Sequence, residues 1–452
     1  MPKTRQHQDV AYRFDRLPRQ MVLREQWRSA LRETAFFYGF EPIHCSLFEE
    51  PRVFAPLIKA GVFRDSLPVR ILGPGGEEFY LRMPGYAPLL RYYYSHRVSE
   101  WPHPVKLYAE SEEFWERGFG GGKATEAGYG AKLLIAGEES SVSEAQIVQV
   151  IWQAYATASP RAGRIAFFIQ PLGCSHCFGQ FRSALAGYAR SRTAGLCRDC
   201  RRWLKGTPVK ILTCKEERCS IIAHHAPQIL DYLCERCRKR LREFLEFLDE
   251  MEIPYEVQVR DLEKRARYDI FMFRFGVVDQ HADEKDQEVK GVGDSDKPQK
   301  AKDQVFFAEG GRIAPSLTEV LAGRKMDAVA GAIDEDALFP LLPDDGGAGQ
   351  GERSAAVFLA QLGDLARRKS LGLFEMMRKA DIPVRESLGK DAIKSQLKMA
   401  ERIGAELAVI VGQKEALDAT VIVREVASGI QETVPQEKMV EFLRRKLNKK
   451  GT

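Results

Sequence analysis

Gly173–Arg238, GCSHCFGQFRSALAGYARSRTAGLCRDCRRWLKGTPVKILTCKEERCSIIAHHAPQILDYLCERCR, carries eight of the nine cysteines of the 452-residue chain. They fall into four pairs: Cys174 with Cys177, Cys197 with Cys200, Cys214 with Cys219, and Cys234 with Cys237; only Cys45 stands apart. Two or four residues separate the members of a pair, so both sulfurs reach one ion from a tight turn. Four thiolates make the usual closed tetrahedral zinc site, with no open position for water or substrate. Taken in chain order, the pairs predict one ion held by Cys174, Cys177, Cys197 and Cys200. A second would be held by Cys214, Cys219, Cys234 and Cys237. Scattered core cysteines would not fall into four pairs. Disulfides need an oxidising compartment, and the chain opens MPKTRQHQD without an apolar signal segment. An iron–sulfur cluster remains chemically open to four thiolates. Two structural zinc ions are preferred; they supply folding energy and imply nothing about catalysis.

Around this stretch the composition is that of a globular protein of two or three domains, 44% apolar and 29% charged. No apolar run approaches the roughly 20 residues that cross a bilayer, and the expected location is cytoplasmic. The net charge of +5, from 68 basic and 63 acidic residues, identifies no nucleic-acid partner by itself.

Upstream, Val22–Tyr38 has helical apolar spacing and Gly39 as its stop. VRIL, GPGG and FYL predict a hairpin, and a helix begins near Ala87. The run Gly120, Gly121, Gly122, Lys123 lacks the full phosphate-loop spacing and reads as a hairpin turn. Helix, strand and cysteine module follow, and then an amphipathic helix with Leu241, Leu245 and Leu248 on one stripe. RYDIFMFRF is another strand. Residues 279–303, rich in Asp, Glu, Lys, Gln and Gly, bury too little to offset ordering and predict a disordered insertion. Residues 345–354 read as a linker. Beyond them, alternating strands and helices predict a compact α/β domain. Its cations Arg367, Arg368, Lys390, Lys394 and Lys398 are candidates for RNA binding.

Three stretches together resemble histidyl-tRNA synthetase, a class II aminoacyl-tRNA synthetase. ALRETAFFYGFEPI resembles the first class II motif. The cysteine-bearing insertion through LREFLEFLDEMEIPYEV is similar to a domain that some bacterial members place inside the catalytic half. AVFLAQLGDLARRKSLGLFEMMRKADIPVRESLGKDAIKSQLKMAERIGAELAVIVG resembles the anticodon-binding domain. The resemblance implies an α+β fold: a class II antiparallel sheet, an inserted cysteine-rich zinc module and a C-terminal α/β anticodon-binding-like domain. The implied domains are 1–170 and 251–344 for the catalytic-like half, 171–250 for the insertion and 355–452 for the anticodon-binding-like domain. It also implies a homodimer, although Ser46 stands where the family has an interface proline.

At the family's catalytic positions the sequence departs. LRMPGY replaces LRPEGT, keeping Arg82 and placing Pro84 at the carboxylate. FWER replaces FRYE, with Trp115 at the arginine and Arg117 two residues away. Glu126 and Gly130 stand at a further arginine and glutamine. RDLEKRARYD keeps Arg260 but has Lys264 and Arg265 for two aromatics. GGRIAPSL keeps Gly310, Gly311 and Arg312. DEDAL places Ala337 at the third-motif arginine. Adenylation depends on cations aimed at phosphate, and losing one such donor costs several kcal/mol. The expectation is therefore a non-catalytic relative that binds tRNA, other RNA or a protein partner, with Arg82, Arg91, Arg117, Arg260 and Arg312 as vestigial anion-holding candidates. Two alternatives stand: a divergent histidine–tRNA ligase using ATP and Mg²⁺, and a regulatory subunit of another enzyme.

Overall fold

A computed structural model of the chain describes residues 15–59, 62, 67–119, 122–158, 165–259, 262–277, 305–322, 324–341, 356–387 and 392–448. The expected disordered insertion at 279–303 and the linker at 345–354 lie outside the described residues. So do Arg260 and Lys390, and the side chains of Arg117 and Lys264. The chain divides into two compact units, one essentially Arg24–Pro343 and the other essentially Asp344–Thr452.

The first unit contains β1 (Glu41–Pro42), β2 (Phe48–Glu49), β3 (Arg70–Leu72), β4 (Glu78–Leu81), β5 (Val105–Phe119), β6 (Gly122–Ala136), β7 (Ile165–Gly173), β8 (Glu256–Val257), β9 (Tyr268–Val277), β10 (Phe306–Ile313) and β11 (Ala328–Asp334). Eight of these form one sheet in the order β1-β5-β6-β11-β10-β9-β7-β8. Its six central strands pair antiparallel, and the short edge strands β1 and β8 pair parallel to β5 and β7. The VRIL/FYL hairpin is present as β3 and β4, joined by β2 in a small sheet.

Alternation along the strands gives the large sheet two unlike faces. Through the register, Tyr108, Leu133, Gly331, Gly310, Phe273 and Ile169 form a row on one of them. This apolar face is covered by the helices Val142–Ala158 and Glu235–Glu250. Phe244 stacks on Phe271 at 4.6 Å between ring centroids, and both are buried. Burying one such ring stabilises by about 1.5–3 kcal/mol. Gly331 is required here, because a Cβ would stand 2.6 Å from Ile147 Cγ2. The opposite row, Ala109, Lys132, Ala332, Glu309, Arg274 and Phe168, carries charge.

The second unit contains β12 (Val357–Gln361), β13 (Val384–Glu386), β14 (Leu407–Val411), β15 (Thr420–Glu425) and β16 (Gln431–Pro435), ordered β13-β12-β14-β15-β16. β13, β12 and β14 are parallel, and β15 and β16 complete the sheet antiparallel. Every residue of β12 and β14 is buried, as expected where helices cover both faces of a parallel sheet. Leu373 and Met377 of the helix Asp364–Lys379 join the cluster of Val357 and Leu359. Ala400 of the helix Ile393–Arg402 joins that of Phe358 and Ala360. These two helices therefore lie on opposite layers, in the strand-and-helix order the sequence predicts.

Candidate functional site

The cysteine pairs form two four-sulfur clusters, but not in chain order. Cys174, Cys177, Cys234 and Cys237 make one, and Cys197, Cys200, Cys214 and Cys219 the other. The second cluster is nested inside the first. The reason is tertiary: β7 delivers Cys174 and Cys177 at its end, and the helix Glu235–Glu250 starts with Cys234 against the same sheet. The outer pairs meet across the root of the insertion, leaving the two inner pairs to close on each other. Gly173, at φ 65°, makes the turn into the outer cluster, and a Cβ there would stand 2.8 Å from Cys177 Cβ.

Within each cluster the sulfurs that could ligate lie within 4.8 Å of one another. Measured separations are 3.5 Å for Cys174–Cys177, 3.8 Å for Cys177–Cys237, 4.0 Å for Cys174–Cys234 and 3.9 Å for Cys197–Cys214. A tetrahedron of sulfurs about 2.3 Å from a zinc ion has edges of about 3.8 Å. Cys174, Cys197 and Cys234 each immediately precede a helix, where unpaired amides favour a thiolate. The amides of Cys200 and Cys237 help bring the Cys197 and Cys234 thiols down to about 7. The amides of Cys234 and Cys197 in turn donate to Cys177 and Cys219 Sγ, each at 3.1 Å. The donor sets fit closed structural metal sites.

Around the sheet, the candidate cations have found partners inside the chain, Arg312 beneath the helix Val142–Ala158 on the apolar face. Arg312 is 4% exposed. Its Nε donates to Glu144, one terminal nitrogen to the Glu138 carbonyl and Asp327, and the other to the Ser140 carbonyl and Glu144, all at 3.0 Å. A guanidinium has five N–H donors, and all five of these are engaged. Arg82 is buried and donates to the carbonyls of Glu112 and Cys45 at 2.9 and 2.5 Å. Arg91 forms a two-pronged pair with buried Glu49, both contacts 2.8 Å.

The third-motif region is organised the same way. Asp334 caps the short helix Glu335–Leu338 by accepting from the Ala337 amide at 3.0 Å. Glu335 accepts from Arg24 and Arg28 at 2.6–2.9 Å, and Asp336 from Arg16, Arg24 and the Tyr129 amide at 2.7–3.0 Å. The Arg28 guanidinium also lies 3.6 Å from the Tyr129 ring centroid. Three arginines thus converge on the two carboxylates that immediately precede Ala337. Trp115 packs over Gly128, where a Cβ would come within 3.1 Å of its ring, and faces Glu126 in the hairpin register.

Two further groups around the sheet escaped the sequence reading. Lys132, 1% exposed, contacts Glu113 and donates to Ser111 Oγ at 3.1 Å. Burial pushes its ammonium down to about 7, with Cys45 opposing and Arg82 adding to the depression. Arg267 donates to Glu309 at 2.9 Å, Tyr268 donates to the same carboxylate at 3.3 Å, and Tyr86 donates to the Arg267 carbonyl at 2.8 Å. The available signal for Lys132 was one lysine inside the otherwise small and apolar run AKLLIA.

The RNA-binding candidates of the second unit do not form one patch. Arg367 and Arg368 are on one layer, Lys394 and Lys398 on the other. Arg367 lies 3.8 Å from Asp364. Arg368, Lys394 and Lys398 are exposed and have no side-chain partner among the described residues. Lys394 and Lys398 are one turn apart and share a face.

Residues 357–446 match the anticodon binding domain family. Over 415 residues the chain is 26% identical to the histidine–tRNA ligase of Dehalococcoides mccartyi, covering 91% of this chain and 93% of that protein. It is 27% identical over 443 residues to that of Caldicellulosiruptor saccharolyticus, covering 96% and 98%. Among solved structures, the apo histidyl-tRNA synthetase of S. aureus aligns with a TM-score of 0.72 at 21% identity, over 95% of this chain and 97% of that one.

Proposed function

From homology to the histidyl-tRNA synthetase family over most of the chain, we propose that this protein is a non-catalytic synthetase-like protein that binds RNA, with tRNA as the favoured partner. The observation that carries the reading is the commitment of the catalytic-position cations to acceptors within the chain. Arg312 has no donor left for phosphate, and Glu335 and Asp336, the carboxylates that precede Ala337, are both taken by Arg24. Moving a satisfied buried arginine onto a ligand leaves Glu144 unpaired in the interior, which costs about 3–5 kcal/mol. Such a cation is a poor phosphate clamp.

RNA binding is supported by the anticodon-binding match at 357–446 and by the exposed cations Arg368, Lys394 and Lys398. Zinc is the metal assigned to both cysteine clusters, in a structural role. A homodimer is supported by the family relationship and by exposed Phe36 and Phe37 at the end of the helix Pro18–Phe37. The competing reading, a divergent ligase using ATP and Mg²⁺, has in its favour near-complete coverage of relatives that are histidine–tRNA ligases.

Histidine-dependent ATP–pyrophosphate exchange on purified, metal-replete protein separates the two. The expected result is no exchange above the enzyme-free background, with tRNA retained in a filter-binding assay on the same preparation. Exchange that depends on histidine would overturn the non-catalytic reading. Absence of RNA retention at low salt would overturn the RNA-binding one.

A further inference from the structure

The cysteine-rich insertion presents cations of the opposite kind from those on the sheet. On the helix Ser175–Arg190, Phe178, Arg182, Ala186 and Arg190 follow one another at four-residue spacing and form one stripe. Two cavities of about 190 and 210 Å³ open along it and share Arg182, Gly206 and Pro208 in their walls. Together they reach the size of small-molecule sites, about 300–1,000 Å³. The first is walled by Phe178, Pro208, Val209 and Leu262, with Arg182 and Arg265 as its cations. The second adds Arg190 and Lys205.

Among the described residues, no Asp or Glu lines either cavity. Arg182, Arg190 and Lys205 are exposed and have no side-chain partner among the described residues. Arg265 is held by Asp269 at 3.0 Å and donates to the Tyr268 carbonyl at 3.3 Å, yet its buried Nε finds no acceptor among the described residues. Like charges gathered around a concavity repel one another, and an anion placed among them relieves that repulsion. Arginine suits phosphate oxygens because its planar fork donates in pairs. The adjoining apolar wall with an aromatic ring suits a flat, uncharged body.

The geometry points to a binding site for a nucleoside phosphate, its phosphate at Arg182, Arg190 and Lys205 and its base against Phe178, Pro208 and Leu262. The same chemistry is carried by a free mononucleotide and by the phosphorylated end of an RNA strand. The site lies in the first unit, apart from RNA binding by the second, and shares Arg265 with the segment RDLEKRARYD.

The test is calorimetric titration of the full-length, metal-replete protein with AMP and, separately, with a 5′-phosphorylated trinucleotide. At least one should bind saturably, with adenosine and inorganic phosphate each about tenfold weaker or more. Arg182→Glu and Lys205→Glu, both at exposed positions, should each weaken binding by about tenfold or more, with unchanged circular dichroism and metal content. Binding of AMP lost in Arg182→Glu assigns a free nucleotide, and binding of the trinucleotide alone, lost likewise, assigns an RNA end. Failure of both ligands to bind overturns the proposal, and so does binding that Arg182→Glu and Lys205→Glu do not change.

Discussion

The surroundings of the eight-stranded sheet and the cysteine-rich insertion both carry arginines, and they use them oppositely. On the sheet, Arg312, Arg82 and Arg91 are buried or half-buried and turned toward carboxylates or carbonyls of the same chain. On the insertion, Arg182, Arg190 and Lys205 stand around open cavities without a side-chain partner among the described residues. A cation already desolvated and paired contributes to holding the fold and is costly to redirect. A solvated, unpaired one is available at little cost. A retained motif arginine therefore says little about activity until its partners are known.

The comparison also extends to how each region is held together, and metal removal probes it most strongly. The inner sulfur cluster sits in a small core of its own with Ala189, Leu196 and Ile211, whereas Cys177 and Cys237 of the outer cluster belong to the continuous core of the sheet. Structural zinc sites are worth about 10–16 kcal/mol in isolated fingers. Chelation should therefore unfold the insertion while leaving the sheet ordered, read as loss of amide-exchange protection confined to the insertion. Nesting makes a sharper forecast: Cys174→Ser with Cys234→Ser should cost one ion of two by elemental analysis. Pairing in chain order would cost both.

Next in size is Arg312→Ala, expected to destabilise the fold by about 3–5 kcal/mol in urea, because it leaves Glu144 buried and unpaired. The effect should depend on pH. Burial holds the Glu144 carboxyl above its ordinary range, with Arg312 pulling it back. The folded protein thus binds that proton more tightly than the unfolded chain, and stability from this group falls as pH rises through the window between the two pKa values. Removing Arg312 extends that window upward, so the loss should be smaller at pH 5 than at pH 7. An equal loss at both would show that Glu144 is not the group left exposed to the change.

Lys132→Met should be destabilising by a similar amount, through orphaned Glu113. Lys132→Met with Glu113→Gln should recover most of it, since replacing a buried ion pair as a unit is often neutral or better. Full recovery would mark the pair as a filler of the sheet face. Failure to recover would mean that Ser111 and its neighbours also depend on the charge. The smallest effects belong to the second unit: Lys394→Glu with Lys398→Glu should weaken RNA retention by about tenfold and lower the salt slope by about 2. No change would move the RNA contact to the Arg368 layer or off this unit.

Much of this architecture was legible in the residues. Four spaced cysteine pairs announced two metal-capable clusters, because neighbouring thiols share an ion whatever the rest of the chain does. Alternating strand and helix signals located the late α/β unit, since β12 up to Ala360 and all of β14 are apolar runs and the helices between them are amphipathic. The hairpin of β3 and β4 followed from the GPGG turn.

The candidate site was less legible, and particular residues show why. Arg82 and Arg312 are conspicuous as letters, but their acceptors at Cys45, Glu112, Glu138 and Glu144 are remote in sequence. Lys132 reads as an interruption of an apolar run until Glu113 and Ser111 are placed beside it by the β5–β6 register. The same holds for Arg24 and Arg28, which meet Glu335 across more than 300 residues.

By itself, then, the sequence determined what is local: which cysteines act in pairs and which segments pleat or coil. Only the tertiary structure decided which pair closes with which and which cation remains free. Both depend on distances between segments far apart in the chain, set by the packing of strands and helices on the sheet, and no spacing within a single segment encodes them.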